Sequence, residues 1–399
     1  MKTTKLSIPP GMQDFAPPLC GQRSLLESKA RGVFARWGYE EVDVPLLEYM
    51  DVFTGVVGGV PEEGVFKCCD QDGRLLALRP DWTLPVARLA AMRMRDEKTL
   101  RLGYSGKVVS FRADRDGDLR ESSQMGVELM GVPGPEGDAE IIALAVTTLL
   151  ECGLTDFQVD IGQVGFFKGI VAEAGLSEED SEELRRFVEE KNMFSIELAL
   201  QQAKVPQGFK NRMMELPALY GGEEILDKAM GMSHHPLSVA AVENLRRVMD
   251  ILKDYGLEQY ISIDLGLVHA IHYYSGVIFR GMVEQVGYPL LTGGRYDGLL
   301  SEFGHDMPAT GFGIGLQTLM AALQKKGDLP KVSLLDKIVG YDEASRVQAI
   351  GYIQKCRQQG LRVEQFLGKR DELAAYAAKK GAGEALWLGE QGMMAEEKL

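Results

Sequence analysis

The chain has 399 residues, of which 45% are hydrophobic and 26% charged, enough to bury a large core and to form two or three domains. No apolar run reaches the ~18 residues of a membrane span and the start, MKTTKLSIPPGMQDF, has no signal-like apolar stretch, so the chain reads as a cytoplasmic protein with no membrane role. A formal charge of −14 without any block of five or six basic residues argues against unspecific nucleic-acid binding, and five cysteines with no C-x-x-C pair suit neither a disulfide framework nor a zinc site.

Residues 19–37 carry apolar positions near i, i+4, i+8 spacing and end at Gly38, which predicts an amphipathic helix. EEVDVPLLE then reads as a strand; Pro45 within it cannot donate to a ladder and places that strand at an edge or interface. Residues 75–94 read as a strand running into a helix. RLGYSGKVVSFRAD and ESSQMGVELMG form a predicted hairpin, followed by a helix over DAEIIALAVTTLLECG and a strand over FQVDIG. Residues 175–255 are helical by period and charge pairing and read as an inserted helical subdomain.

The β pattern resumes in SIDLGLVHAIHYYSGVIFRGMV and PLLTGGRYDGLL, and reaches GFGIGLQTLM at 311–320. Here Gly311, Gly313 and Gly315 alternate before a helical run. Such glycines allow close backbone approach to a ligand, and a helix N-terminus suits an anion, yet the stretch carries no cation. From about residue 330 a β-α-β-α-β pattern marks a small C-terminal module, giving domains of 1–328 and 329–399. Runs of adjacent strands with grouped helices predict an α+β fold on an antiparallel sheet.

No Walker A, H-E-x-x-H, EF-hand or G-x-S-x-G pattern occurs, so neither a metal nor a cofactor is expected. In RPDWT, Asp81 and Thr83 share one face if the segment is extended. In SSQMGVELMG, Ser122, Gln124, Gly126 and Glu128 share one face while Met125, Val127 and Leu129 take the other. Polar residues on one face of a core strand, interrupted by glycine, suggest a ligand lying on the sheet; the pattern also fits a simply solvated face. Tyr273 and Tyr274 in HYYSG point to opposite faces of a strand, so at least one reaches such a ligand. Together these side chains suit a small cationic or multi-donor ligand. Arg112 is a candidate phosphate ligand nearby, or equally a salt-bridge partner of Asp114 or Asp116.

IPPGMQDFAP, LRPDWT, FRAD, SSQMGVELMG, HYYSGVIF, GGRYDGL and GFGIGL stand in the order and spacing of histidyl-tRNA synthetase, and the chain resembles that class II synthetase family over about residues 8–320. The resemblance implies a class II antiparallel sheet with flanking helices and a helical insertion, a homodimer built through the 19–37 helix and the Pro45 strand, and a C-terminal module shortened from an anticodon-binding domain. It also implies that Asp81, Thr83 and Gln124 bind the α-amino end of histidine, and that Glu128, Tyr274 and the neighbouring Tyr273 address the imidazole. Three departures bear on phosphate chemistry: Thr318 and His269 stand where the synthetase has ATP-binding arginines, and the loop after Arg112 is short and acidic. A histidine site without those cations is similar to the regulatory subunits of ATP phosphoribosyltransferase. That likeness implies a non-catalytic chain, a short-form catalytic subunit as partner in a hetero-octamer, histidine as feedback effector, and no tRNA. An active synthetase or a histidine sensor for another partner are the alternative readings.

Overall fold

The structure is a computed structural model that describes residues 6–56, 59–111, 119–268, 273–284, 286–332, 335–389 and 394–397. The chain divides into two compact units, residues 1–14 with 26–329, and residues 15–25 with 330–399. Arg112 and His269 lie outside the described residues.

The larger unit is built on a nine-stranded sheet. From one edge its strands run Glu40–Glu41, Leu100–Val109, Glu121–Met130, Ala309–Gly315, Leu291–Arg295, Val277–Met282, Gln158–Gln163, Ile261–Asp264 and Tyr220–Gly221. The six strands from Leu100–Val109 to Gln158–Gln163 are antiparallel throughout; parallel pairing occurs only outside them, between Glu40–Glu41 and Leu100–Val109 and between Gln158–Gln163 and Ile261–Asp264.

The hairpin of Leu100–Val109 and Glu121–Met130 sets the register of the centre. Tyr104 stands opposite Gly126 and Gly106 opposite Gln124. On its other edge, Glu121–Met130 pairs with Ala309–Gly315 so that Glu128 faces Gly311, Gly126 faces Gly313 and Gln124 faces Gly315. Because side chains alternate along a strand, Gln124, Gly126 and Glu128 occupy one face and Met125, Val127 and Leu129, all fully buried, the other. The helix Pro135–Glu151 packs against both strands. Proline at its first turn costs no hydrogen bond, and acidic Glu136 and Asp138 suit the positive end of its dipole.

Pro45 has a larger effect than predicted. The expected strand over 40–48 is broken into Glu40–Glu41, at the edge of the main sheet, and Leu47–Tyr49, which joins a separate three-stranded sheet with Leu75–Leu78 and Lys67–Cys69. Proline lacks the N–H that a continuous strand would need at that point. The segment 262–283 is likewise interrupted: Ile261–Asp264 and Val277–Met282 are strands, and Tyr273 and Tyr274 precede the second rather than belonging to it. Within 175–255 the helices are Glu178–Glu189, Met193–Gln202, Gln207–Glu215, Glu224–Met232 and Pro236–Asp254. The last of these packs on the helices Val164–Ala174 and Pro135–Glu151 and on the strand Gln158–Gln163, and so belongs to the layer covering the main sheet.

The smaller unit has the parallel strands Val363–Gln365, Lys337–Tyr341 and Glu384–Leu388 with the helices Arg346–Gln358 and Arg370–Lys380. Ile338, Leu373 and Trp387 form a core on one side of this sheet; Val339, Ile353 and Leu386 form one on the other. A fourth strand, Met394–Glu397, adds antiparallel to Glu384–Leu388. Sequence reasoning leaves those residues unassigned, since Met394, Ala395, Glu396 and Glu397 carry no strand pattern.

Arg295 ties the large sheet to its helical layer. It is 5% exposed, and its guanidinium donates to Asp138 (2.8 Å), Asp297 (3.0 Å) and the carbonyls of Val132 (3.2 Å) and Gly134 (3.0 Å). Asp138 is 1% exposed, so removing the cation strands a buried carboxyl. Arg295→Met should therefore lower unfolding stability by about 3–5 kcal/mol in urea titrations. The Arg295→Met, Asp138→Asn double variant should recover part of that loss, because it removes the stranded charge as well.

Candidate functional site

Asp81, Thr83, Gln124, Glu128, Tyr273 and Tyr274 line one cavity, together with Thr292, Gly293, Tyr296, Gly311, Phe312 and Gly313. Its volume of about 110 Å³ is below the ~300–1,000 Å³ of clefts for larger organic ligands, which suits a ligand of amino-acid size. Thr318, in the first turn of the helix Leu316–Lys326, does not line it.

The floor is Glu128, 1% exposed at the centre of the sheet. Its Oε1 accepts from Thr83 Oγ1 (2.8 Å) and from the Tyr104 hydroxyl (3.4 Å), and its Oε2 accepts from the Tyr296 hydroxyl. Burial pushes this carboxyl up to about 8, although the three hydroxyl donors oppose the shift by favouring the ionised form. Burial likewise raises Tyr104, Tyr273, Tyr274 and Tyr296, so all four phenols remain protonated at neutral pH.

The glycines of GFGIG have a steric function here. A Cβ on Gly311 would collide with Glu128 Oε2, and one on Gly313 with Gln124 Nε2. The bare strand beside Glu121–Met130 is what lets these two polar side chains lie flat on the sheet. Gly126, between them, leaves the space that the Tyr104 ring occupies: a Cβ there would stand 2.6 Å from the Tyr104 hydroxyl.

Asp81 and Thr83 reach the cavity from a helix start and not from a strand. Trp82 is the N-cap of the helix Thr83–Arg93, and Asp81 Oδ1 accepts from the Leu84 N–H (3.2 Å), satisfying one of the unpaired donors of the first turn. Burial raises Asp81 to about 6, with the N–H groups of Leu84 and Thr83 pulling the other way. Gln124 Oε1 is buried without a partner among the described residues, an acceptor left for a ligand donor. Tyr273 stands edge-on to both Tyr274 (5.1 Å between centroids) and Tyr296 (5.9 Å), so both tyrosines of HYYSG serve one cavity instead of opposite faces.

Tyr104, Tyr296 and Thr292 escaped the sequence reading. Tyr296 lies in the quoted GGRYDGL stretch, and Tyr104 is legible only once the hairpin register sets it opposite Gly126. The described lining thus offers two carboxyls, an amide oxygen and several hydroxyls, with no lysine or arginine. Such a set receives ammonium and ring N–H donors and, among the described residues, brings no cation to a phosphate. Among the described residues no group of three His, Cys, Asp or Glu side chains is placed to hold a metal ion, and no helix is long and apolar enough to cross a membrane.

Comparison with known proteins accords with this geometry. The family model described as histidyl-tRNA synthetase matches residues 11–319. The ATP phosphoribosyltransferase regulatory subunit of Acetivibrio thermocellus is 40% identical over 96% of this chain and 92% of its own length. That of Ruminiclostridium cellulolyticum is 37% identical over 97% and 93%. A crystal structure from Bacillus halodurans, described as an ATP phosphoribosyltransferase regulatory subunit/histidyl-tRNA synthetase, superposes with a TM-score of 0.86 at 30% identity, covering 97% of this chain and 99% of that one. The fold is therefore that of a class II synthetase, and the chain belongs to the ATP phosphoribosyltransferase regulatory subunits, the non-catalytic members of the histidyl-tRNA synthetase-like family.

Proposed function

We propose that the cavity binds free histidine as a feedback effector, and that the chain conveys its occupancy to a short-form ATP phosphoribosyltransferase catalytic subunit at the first step of histidine biosynthesis. The carrying observation is the buried Glu128 in a cavity whose described lining has acceptors and hydroxyls but no cation. In this reading Asp81, Thr83 and Gln124 receive the α-amino group, and Glu128 with Tyr274 and Tyr273 receives the imidazole. Thr318, His269 and Arg112 are remnants of a phosphate site that no longer activates ATP. The protein works in the cytoplasm without tRNA, as a homodimer through the 19–37 helix and the Pro45 segment within a hetero-octamer. Residues 1–328 form the synthetase-like domain and 329–399 a shortened anticodon-type module.

The effect on the partner is a matter of linkage. Histidine shifts the assembly only as far as it binds one of its states more tightly, typically ~1–3 kcal/mol of coupling. Reconstitution tests the whole reading. The purified chain should co-elute with the short-form catalytic subunit, raise its activity, and make it sensitive to histidine, while showing no histidine-dependent ATP–pyrophosphate exchange. Exchange turnover would favour an active synthetase; failure to co-elute would favour a sensor for another partner.

Glu128→Gln retains the shape of the side chain and removes its charge. Histidine affinity measured by calorimetry should fall by about 1–3 kcal/mol, roughly 5–150-fold; an unchanged Kd would place the effector elsewhere.

The proton balance gives an independent check. At pH 7 the free cavity holds a proton on Glu128, raised to about 8, while Asp81, raised to about 6, is mostly ionised. A ligand that donates to both carboxyls favours their ionised forms, so the Glu128 proton passes to the imidazole or to solvent. Calorimetry at pH 7 in buffers of different ionisation enthalpy should show no net proton uptake on binding: release where the imidazole stays neutral, and no exchange where it takes the Glu128 proton. Proton uptake would contradict the assignment.

A further inference from the structure

Arg79 is buried to 5% exposure yet touches none of the cavity, and its contacts form a continuous column down to Glu128. Its backbone N–H donates to Leu46 O (2.9 Å) and its guanidinium to Val44 O (2.6 Å), so it grips the chain on both sides of Pro45. A third donor, Nε, reaches Lys107 O on the hairpin (2.9 Å). The guanidinium carbon Cζ lies over the Trp82 ring, 3.5 Å from its centroid. Trp82, 1% exposed, is stacked on Tyr104 with centroids 4.9 Å apart and an interplanar angle of 7°. The Tyr104 hydroxyl then meets Glu128 Oε1 at 3.4 Å. The column fits only because residue 106 is glycine: a Cβ there would stand 2.6 Å from the Trp82 ring and 3.0 Å from the Arg79 guanidinium.

We infer that Arg79 is the positioning residue of the effector cavity, holding Trp82 and Tyr104 in the orientation that presents Glu128 to the ligand. It rests on the histidine reading proposed above. Three features favour this role over mere packing. A buried guanidinium is costly unless its donors are used, and a leucine or methionine would fill the same space at less cost. Trp82 is held by two contacts, the Arg79 guanidinium over its ring and the stacked Tyr104 ring, which together restrain the tyrosine whose hydroxyl meets Glu128. The residue Trp82 is also the N-cap of the helix whose start carries Asp81 and Thr83, so the column fixes the amino-group side of the cavity along with its floor. Lysine could retain the charge but can neither stack as a plane nor donate in a fixed fork to Val44 O and Lys107 O.

The test uses the full-length chain with Trp37→Phe and Trp387→Phe, which leaves Trp82 as its one tryptophan. Against this background, Arg79→Lys should raise the histidine Kd by about tenfold or more. Trp82→Phe, which keeps a stackable ring and guards against an Arg79 variant that does not fold, should raise it two- to fivefold. A histidine Kd within twofold of the parent in both variants, with only the melting temperature lowered, would reduce Arg79 to a structural role and overturn the inference. If the parent itself does not bind histidine, the reading of the ligand has failed, and the inference is then decided on the free protein. Trp82 emission should titrate near pH 8 as Glu128 ionises, and Arg79→Lys should displace that midpoint by half a pH unit or more. An unmoved midpoint would overturn the positioning role there too.

Discussion

A carboxyl group at the centre of a β-sheet, 1% exposed and without a cation beside it among the described residues of its cavity, is the constraint around which the large unit is arranged. Water would solvate an ionised Glu128 far better than the protein interior does, so folding either neutralises the group or supplies donors. The protein does part of each. Three hydroxyls donate to its oxygens, and burial still raises it to about 8. Asp138 shows the other solution in the same unit: equally buried, it has Arg295 as a permanent partner at 2.8 Å, itself held by two carbonyls and Asp297. Burial still raises Asp138 to about 7, so its cation offsets only part of the cost, whereas a carboxyl held only by neutral donors has that stabilisation still to gain from a ligand that brings an N–H or an ammonium.

The surroundings of Glu128 follow from that requirement. Its side chain lies along the sheet, which is possible only if the opposite residue has no Cβ, and Gly311 is that residue. Gln124 makes the same demand on Gly313. The alternation of glycines in GFGIG is thus fixed by the alternation of polar side chains in SSQMGVELMG, one strand away and in register. An inherited phosphate cradle is not needed to explain it. Thr318 stands a helical turn beyond these glycines, and the neighbouring Gln317 uses its side-chain oxygen to accept from the Ser123 N–H at 2.8 Å, joining helix to hairpin.

What could be read from the sequence was whatever depended on local period. Gln124, Gly126 and Glu128 do share a face, and Met125, Val127 and Leu129 are buried on the other, as strict two-residue alternation requires. The helical character of 175–255 and the small C-terminal α/β pattern follow from the same kind of signal. The readings that failed depended on where a segment stops being regular. Asp81 and Thr83 meet in the cavity because a helix begins between them, and Tyr273 and Tyr274 because the strand begins only at Val277. Tyr104 could not be assigned from its own neighbourhood, since its importance comes from standing opposite a glycine on the paired strand. Pro45 was recognised as unsuited to a central ladder, but its effect, moving the chain from one sheet to another, depends on Leu75–Leu78 being available to pair with Leu47–Tyr49.

That transfer from sheet to sheet bears on how occupancy of the cavity could be felt elsewhere in the large unit. The helix Thr83–Arg93 has its first turn in the cavity, where Thr83 donates to Glu128 and Asp81 accepts from Leu84. Arg88, on the same helix, donates to the buried Glu48 of the three-stranded sheet at 2.6 Å. Leu47 and Tyr49, on either side of Glu48, turn the opposite way and are 44% and 49% exposed. A helix is stiff over three turns, so a displacement of its first turn would reach Arg88 and the strand that carries Leu47 and Tyr49. Cores of this density accommodate such a change by switching between discrete packings and not by gradual deformation. Coupling of ~1–3 kcal/mol, the usual size of an allosteric effect, amounts to one or two hydrogen bonds made in one packing and absent from the other. The bonds of Arg88 to Glu48 and of Thr83 to Glu128 join the cavity to that strand through a single helix.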